Sequence, residues 1–105
     1  MFSNTIFCVL IAALLASASS ARAATETVTI KDFDYAPMTM SVVAGTTVVW
    51  KNLDGEPHTV VSSDGLFRSP ALDQNDSYSF TFAKAGTYRY VCSIHPKMIA
   101  TITVH

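Results

Sequence analysis

From Thr25 onward, apolar and polar residues alternate with a period of two, in short runs broken by glycine, proline and an Asp-Gly pair. This is the pattern of strands that bury one face and wet the other; no stretch carries the 3.6-residue period of a useful amphipathic helix. The predicted strands are residues 25–30 (TETVTI, with Val28 and Ile30 on one face), 38–43 (MTMSVV), 46–52 (TTVVWKN), 58–63 (HTVVSS), 78–82 (YSFTF), 87–92 (TYRYVC) and 99–104 (IATITV). Ala44-Gly45 and Ala85-Gly86 read as turns, and residues 53–57, with Asp54-Gly55, as a loop. Tyr78, Phe80 and Phe82 share one face of their strand, and Tyr88, Tyr90 and Cys92 share one face of the next. Residues 64–77 are the least regular and are expected to wind over the surface. Seven or eight short strands joined by turns predict an all-β chain folded as an antiparallel β-sandwich.

The first 23 residues break this pattern. Residues 6–16, IFCVLIAALLA, carry no charge, and small residues follow, ending in Ala21-Arg22-Ala23. That ending fits the small-x-small rule of a signal peptidase site. The expectation is a signal peptide over residues 1–23, export to the periplasm, and one domain over residues 24–105. The alternative, an uncleaved anchor, is disfavoured because the apolar run is short against a membrane span of about 20 residues. Cys8 lies inside the run, where a lipidated cysteine would follow it.

Composition narrows the picture. The chain has 105 residues, room for one domain, and half are hydrophobic, which excludes disorder. A formal charge of −1 gives no electrostatic reason for nucleic acid or an acidic membrane as partner. Of the two cysteines, Cys8 falls in the leader, so the domain cannot form an internal disulfide. Domains this small have thin cores and often use a staple; a bound metal is the remaining candidate.

The chemistry concentrates near the end of the chain. Cys92-Ser93-Ile94-His95-Pro96-Lys97-Met98 reads C-x2-H-x2-M between two strands, and His58 opens an earlier strand. Together they offer a thiolate, two imidazoles and a thioether. Soft sulfur with imidazole selects copper, and two His and a Cys with a long axial Met is the arrangement of a blue-copper electron-transfer centre. Cys92 shares a face with Tyr88 and Tyr90, so its sulfur is expected to point into the apolar interior, dry and shielded from oxidants. Taken singly, each residue has an ordinary alternative. Cys92 can be a small buried hydrophobe, Met98 core filler, and His58, beside Pro57, a surface loop residue. Met38 and Met40 read as strand positions, and His105 as an exposed terminus. Zinc is the chemical rival, but Met is a poor zinc ligand and only three thiolate or imidazole donors are offered.

On these residues the chain resembles a small cupredoxin of the plastocyanin and amicyanin group. Three segments carry the resemblance: Phe33-x-Tyr35-x-Pro37; Gly45-x-x-Val48-x-Trp50-x-Asn52-x-Asp54-x-x-Pro57-His58-Thr59-Val60; and Ala85-Gly86-Thr87-Tyr88-x-Tyr90-x-Cys92-x-x-His95-x-x-Met98. The short C-x2-H-x2-M spacing is most similar to amicyanin. The resemblance implies a Greek-key sandwich with one copper at one end, bound by His58, Cys92, His95 and Met98. It further implies a monomer that passes electrons through the exposed edge of His95. Its redox partners, of dehydrogenase or cytochrome c type, would dock near His95 on an apolar patch of Pro57, Ile94 and Pro96. Neither nucleic acid nor, after leader cleavage, a membrane is expected as partner.

Three positions depart from the family. Thr59 stands where Asn is frequent after the first histidine; its backbone N–H is expected to donate to the Cys92 sulfur. Pro96 has no N–H to offer, so few hydrogen bonds to that sulfur are expected. Ile94 stands where several relatives have Pro. Among functions, the expectation is an electron carrier and not an enzyme, because no second histidine cluster, nucleophile–base pair or phosphate loop accompanies the site. The alternative is a copper-binding or copper-delivery protein without electron transfer.

Overall fold

The computed structural model describes residues 24–105; the predicted leader over residues 1–23 lies outside them. Eight strands follow in order: β1 (Thr25–Lys31), β2 (Asp34–Ala36), β3 (Thr39–Val42), β4 (Thr46–Asn52), β5 (Val61–Ser62), β6 (Ser77–Phe82), β7 (Gly86–Val91) and β8 (Ile99–Val104). They form two four-stranded sheets, β2-β1-β4-β6 and β3-β8-β7-β5, packed face to face as the predicted all-β sandwich.

Alternation along each strand makes the core. In β4, Thr46, Val48, Trp50 and Asn52 point inward. In β7 the inward residues are Tyr88 and Tyr90, and in β8 Ala100, Ile102 and Val104. The sheets meet through aromatic contacts: Tyr90 lies 4.7 Å from Tyr35 and 5.4 Å from Trp50, centroid to centroid. Offset and edge-to-face pairs of this kind add to the area they bury.

The sheets are mixed, which corrects the expectation of a purely antiparallel sandwich. β1 runs parallel to β4, with Val28 opposite Trp50, and β3 parallel to β8, with Met40 opposite Ile102. The reason lies at residues 36–39. β2 returns antiparallel to β1, and the chain then passes into the other sheet as β3 without turning back. The turn at Ala44-Gly45, with Gly45 at φ +96, reverses it once, so β4 re-enters the first sheet in the direction of β1. Both strands therefore end at the same edge of the sandwich, where β7 also ends and β8 begins.

Two strand predictions need adjustment. β2 was not expected. The fourth predicted strand, over residues 58–63, is a ladder only at Val61–Ser62; ahead of it His58 forms an isolated bridge with Leu72.

Candidate metal centre

Four segments converge where β1, β4 and β7 end. After β4, Asn52 sets the loop. Its buried side chain donates to the carbonyls of Glu56 and Leu72, both at 2.8 Å, and its Oδ1 accepts the Asp54 N–H at 2.9 Å. A buried amide satisfied on three sides fixes the backbone around it. His58 then exchanges backbone hydrogen bonds with Leu72, at 3.1 and 2.7 Å. The result is a fully buried imidazole, not the surface loop residue that its place beside Pro57 allows.

Asp54 orients that ring. Its Oδ2 lies 2.8 Å from His58 Nε2. The carboxylate can only accept, so Nε2 carries a proton, and in the neutral ring the lone pair is on Nδ1. Nδ1 faces Cys92 Sγ at 3.9 Å. Burial raises the Asp54 carboxyl pKa, but the N–H groups of Phe33 and Asp32, and then His58, outweigh it and hold the group below the usual carboxylate value. The carboxylate thus remains an acceptor at neutral pH.

Cys92 is fully buried at the end of β7, as its side in the alternation predicts. Thr59 donates its backbone N–H to Sγ at 3.3 Å, the expected bond, and its hydroxyl reaches Sγ at 3.7 Å. The ligand loop closes on itself: Cys92 N–H donates to the Met98 carbonyl at 3.1 Å, and Met98 N–H to the His95 carbonyl at 2.9 Å. This turn buries Met98 and brings the His95 ring to 5.0 Å from that of His58. His95 Nε2 is buried and has no hydrogen-bond partner.

These residues fit a metal ion. The Sγ–Nδ1 separation is close to the 3.6–3.8 Å spanned by about 2.3 Å and 2.0–2.1 Å bonds to one small ion at about 110–120°. A buried nitrogen without a partner costs stability unless something engages it. The structure brings His58 and Cys92 to ligand separation and sets His95 beside them with Met98 on the same loop. Among the described residues no three His, Cys, Asp or Glu side chains converge as a closed cluster. The donors are thiolate, imidazole and thioether, which suits copper better than zinc or a hard ion.

Two functional residues were not legible as such. Phe33 stands edge-on to both imidazoles, 5.1 Å from His58 and 4.9 Å from His95, and is nearly half exposed. It covers part of His95, whose ring is half-buried rather than presenting an open edge. Asp32 and Phe33 are both left-handed, at φ 54 and 60, a region bulky side chains avoid. Asp54 holds them there by accepting both N–H groups, at 2.7 and 2.9 Å. Of the predicted patch, Pro57, Ile94 and Pro96 are all exposed. Phe33 extends it, lining a concavity of about 450 Å³ with Ile94, His95 and Pro96.

The chain belongs to the cupredoxin-like family: its domain model matches residues 4–104. Within that family the chain falls with the amicyanins and plastocyanins, the small blue copper proteins. It is 34% identical over 82 residues to amicyanin from Paracoccus denitrificans, covering 73% of this chain and 63% of that protein. The chain thus spans less than two thirds of that relative's length. Plastocyanin from Scenedesmus fuscus is 37% identical over 83 residues, covering 67% of this chain and 85% of that one. A solved Cu(I) form of an amicyanin variant superposes with a TM-score of 0.74 at 31% identity, over 77% of this chain and 82% of that one.

Proposed function

We propose that the chain is a periplasmic one-electron carrier that binds one copper through His58, Cys92, His95 and Met98. The observation that carries this reading is His58 Nδ1 facing the buried Cys92 Sγ at 3.9 Å while Asp54 occupies the other ring nitrogen. Bound there, copper would supply a Cu(II)/Cu(I) couple. The protein's part is to hold the donors still, so that little has to move between the two oxidation states. Asn52 and Asp54 fix His58, Thr59 fixes the sulfur, and the backbone bonds of residues 92–98 fix the loop. His95, partly covered by Phe33, is the route to the surface. The apolar rim of Phe33, Pro57, Ile94 and Pro96 offers a small, weak contact to a dehydrogenase or cytochrome, one that can be left quickly.

Residues 1–23 serve as the cleaved leader in this reading, and residues 24–105 act as a monomer without enzymatic activity. Copper delivery is disfavoured, since an exchangeable site wants accessible ligands and both His58 and Cys92 have no exposure.

The test is the visible spectrum of residues 24–105 titrated with Cu(II), beside Cys92→Ser. An intense blue band at one copper per chain, absent from the variant, is expected. A weak band that survives the substitution would overturn the site. Rapid copper loss to a chelator would favour delivery over electron transfer.

A further inference from the structure

Thr59 is bonded through every polar atom it has. Its carbonyl accepts the Tyr35 hydroxyl at 2.6 Å, its N–H donates to Cys92 Sγ, and its Oγ1 accepts the Ser93 N–H at 2.7 Å. Two further neighbours remain for Oγ1: Cys92 Sγ at 3.7 Å and the Ser93 hydroxyl at 2.9 Å. A hydroxyl has one proton and two lone pairs. The Ser93 N–H fills one lone pair. If the Ser93 hydroxyl fills the other, the Thr59 proton has one acceptor left, the sulfur. Thr59 is buried, and the sulfur and the Ser93 hydroxyl are the neighbours within reach of that proton.

We infer that the Thr59 hydroxyl, aimed by Ser93, is a second hydrogen-bond donor to the Cys92 sulfur and raises the potential of the copper couple. This replaces the expectation that the sulfur would have few donors because Pro96 lacks an N–H. It rests on the copper reading above. The sulfur carries more negative charge when the metal is reduced, because a Cu(II) ion draws more of the thiolate's density into its bond. A donor on the sulfur therefore stabilises the reduced form more. Thr59 is a positioning residue here: it acts on the electron through the ligand and makes no contact of its own with the metal.

A purely bracing role for the same hydroxyl makes a different prediction, and two substitutions separate them. Thr59→Val keeps the shape and removes the proton. The Ser93 hydroxyl either donates to Thr59 Oγ1 or competes for its proton; Ser93→Ala removes it in both cases, keeps the Ser93 N–H, and leaves sulfur as the acceptor for the Thr59 proton. The experiment is redox titration and visible spectroscopy of copper-loaded wild type, Thr59→Val, Thr59→Ser and Ser93→Ala. Thr59→Val is expected to shift the copper equilibrium toward Cu(II) by about two- to tenfold, the worth of one hydrogen bond, which is at most about 59 mV for one electron. Its thiolate-to-copper band should move as well. Thr59→Ser should restore both, and Ser93→Ala should not lower the potential. A Thr59→Val potential equal to wild type would overturn the inference. So would a Ser93→Ala potential that falls as far as that of Thr59→Val, since bracing alone would then suffice. If Thr59→Val does not fold, Thr59→Ser and Ser93→Ala decide: a fall in both potentials overturns the inference. Wild-type protein without the blue band would overturn the copper reading and this inference together; a blue wild type with indifferent variants overturns this inference alone.

Discussion

Asp54 holds Phe33 over the site: the oxygen that accepts the Phe33 N–H at 2.9 Å is the same Oδ2 that lies 2.8 Å from His58 Nε2. One carboxylate therefore sets the tautomer of a proposed ligand and the position of the ring that covers it. Removing the partner of a ligating histidine typically costs 10–100-fold in metal affinity. Asp54→Ala is expected to weaken copper binding by about that factor, read by chelator competition, and to speed amide exchange at Asp32 and Phe33. Unchanged affinity would show that Asn52 and the Leu72 bridge orient His58 unaided.

Phe33→Ala tests the cover itself. Without the ring, His95 loses its edge-on neighbour at 4.9 Å and gains solvent. Reduction of the oxidised protein by a small reagent such as ascorbate should be faster in this variant, while exchange with a bulky protein partner should slow as apolar contact is lost. Equal rates with both reagents would remove Phe33 from the electron's route.

The alkaline limit of the fold follows from two buried phenols. Burial pushes Tyr90 up to about 12; burial, and then Cys92, raise Tyr35 as well. An unfolded tyrosine titrates near 10. A raised pKa favours the folded state with its phenol neutral, so this contribution is complete below about pH 10 and is lost as pH rises through about 12. Thermal melts should fall across that window together with a rise in tyrosinate absorbance. Tyr90→Phe should flatten the fall.

Ile102 sits in the middle of β8 with no exposure. Ile102→Ala leaves a cavity between the sheets and is expected to cost about 2–5 kcal/mol, measured by urea unfolding of the metal-free protein. A cost under about 1 kcal/mol would mean that the neighbouring aromatics collapse into the space.

Much of this was legible in the chain, for definite reasons. β4, β6, β7 and β8 alternate cleanly, so their limits and inward faces follow within a residue or so; Cys92 inherits its burial from Tyr88 and Tyr90. β2 is three residues long and ends beside Pro37, leaving no periodicity to detect. Residues 58–60 failed as strand because their partner is the irregular segment before β6: Val60 donates its N–H to the Ser69 hydroxyl at 2.8 Å, a bond no local pattern announces. The Asp54 clamp spans 21 and 22 residues, and Asp54 beside Gly55 resembles an ordinary turn residue. Phe33 is visible as an aromatic near a proline; its left-handed backbone exists only because a distant carboxylate receives its N–H.

The last strand of the chain is an interior strand of its sheet, flanked by β3 on one side and β7 on the other. Its pairing with β3 joins residues some sixty positions apart, the kind of non-local closure that slows folding. Neither half of the second sheet is complete until Ile99–Val104 has been synthesised. The second sheet therefore cannot close before β8 is in place, and loss of Ile99–Val104 would remove the middle of a sheet rather than trim its edge.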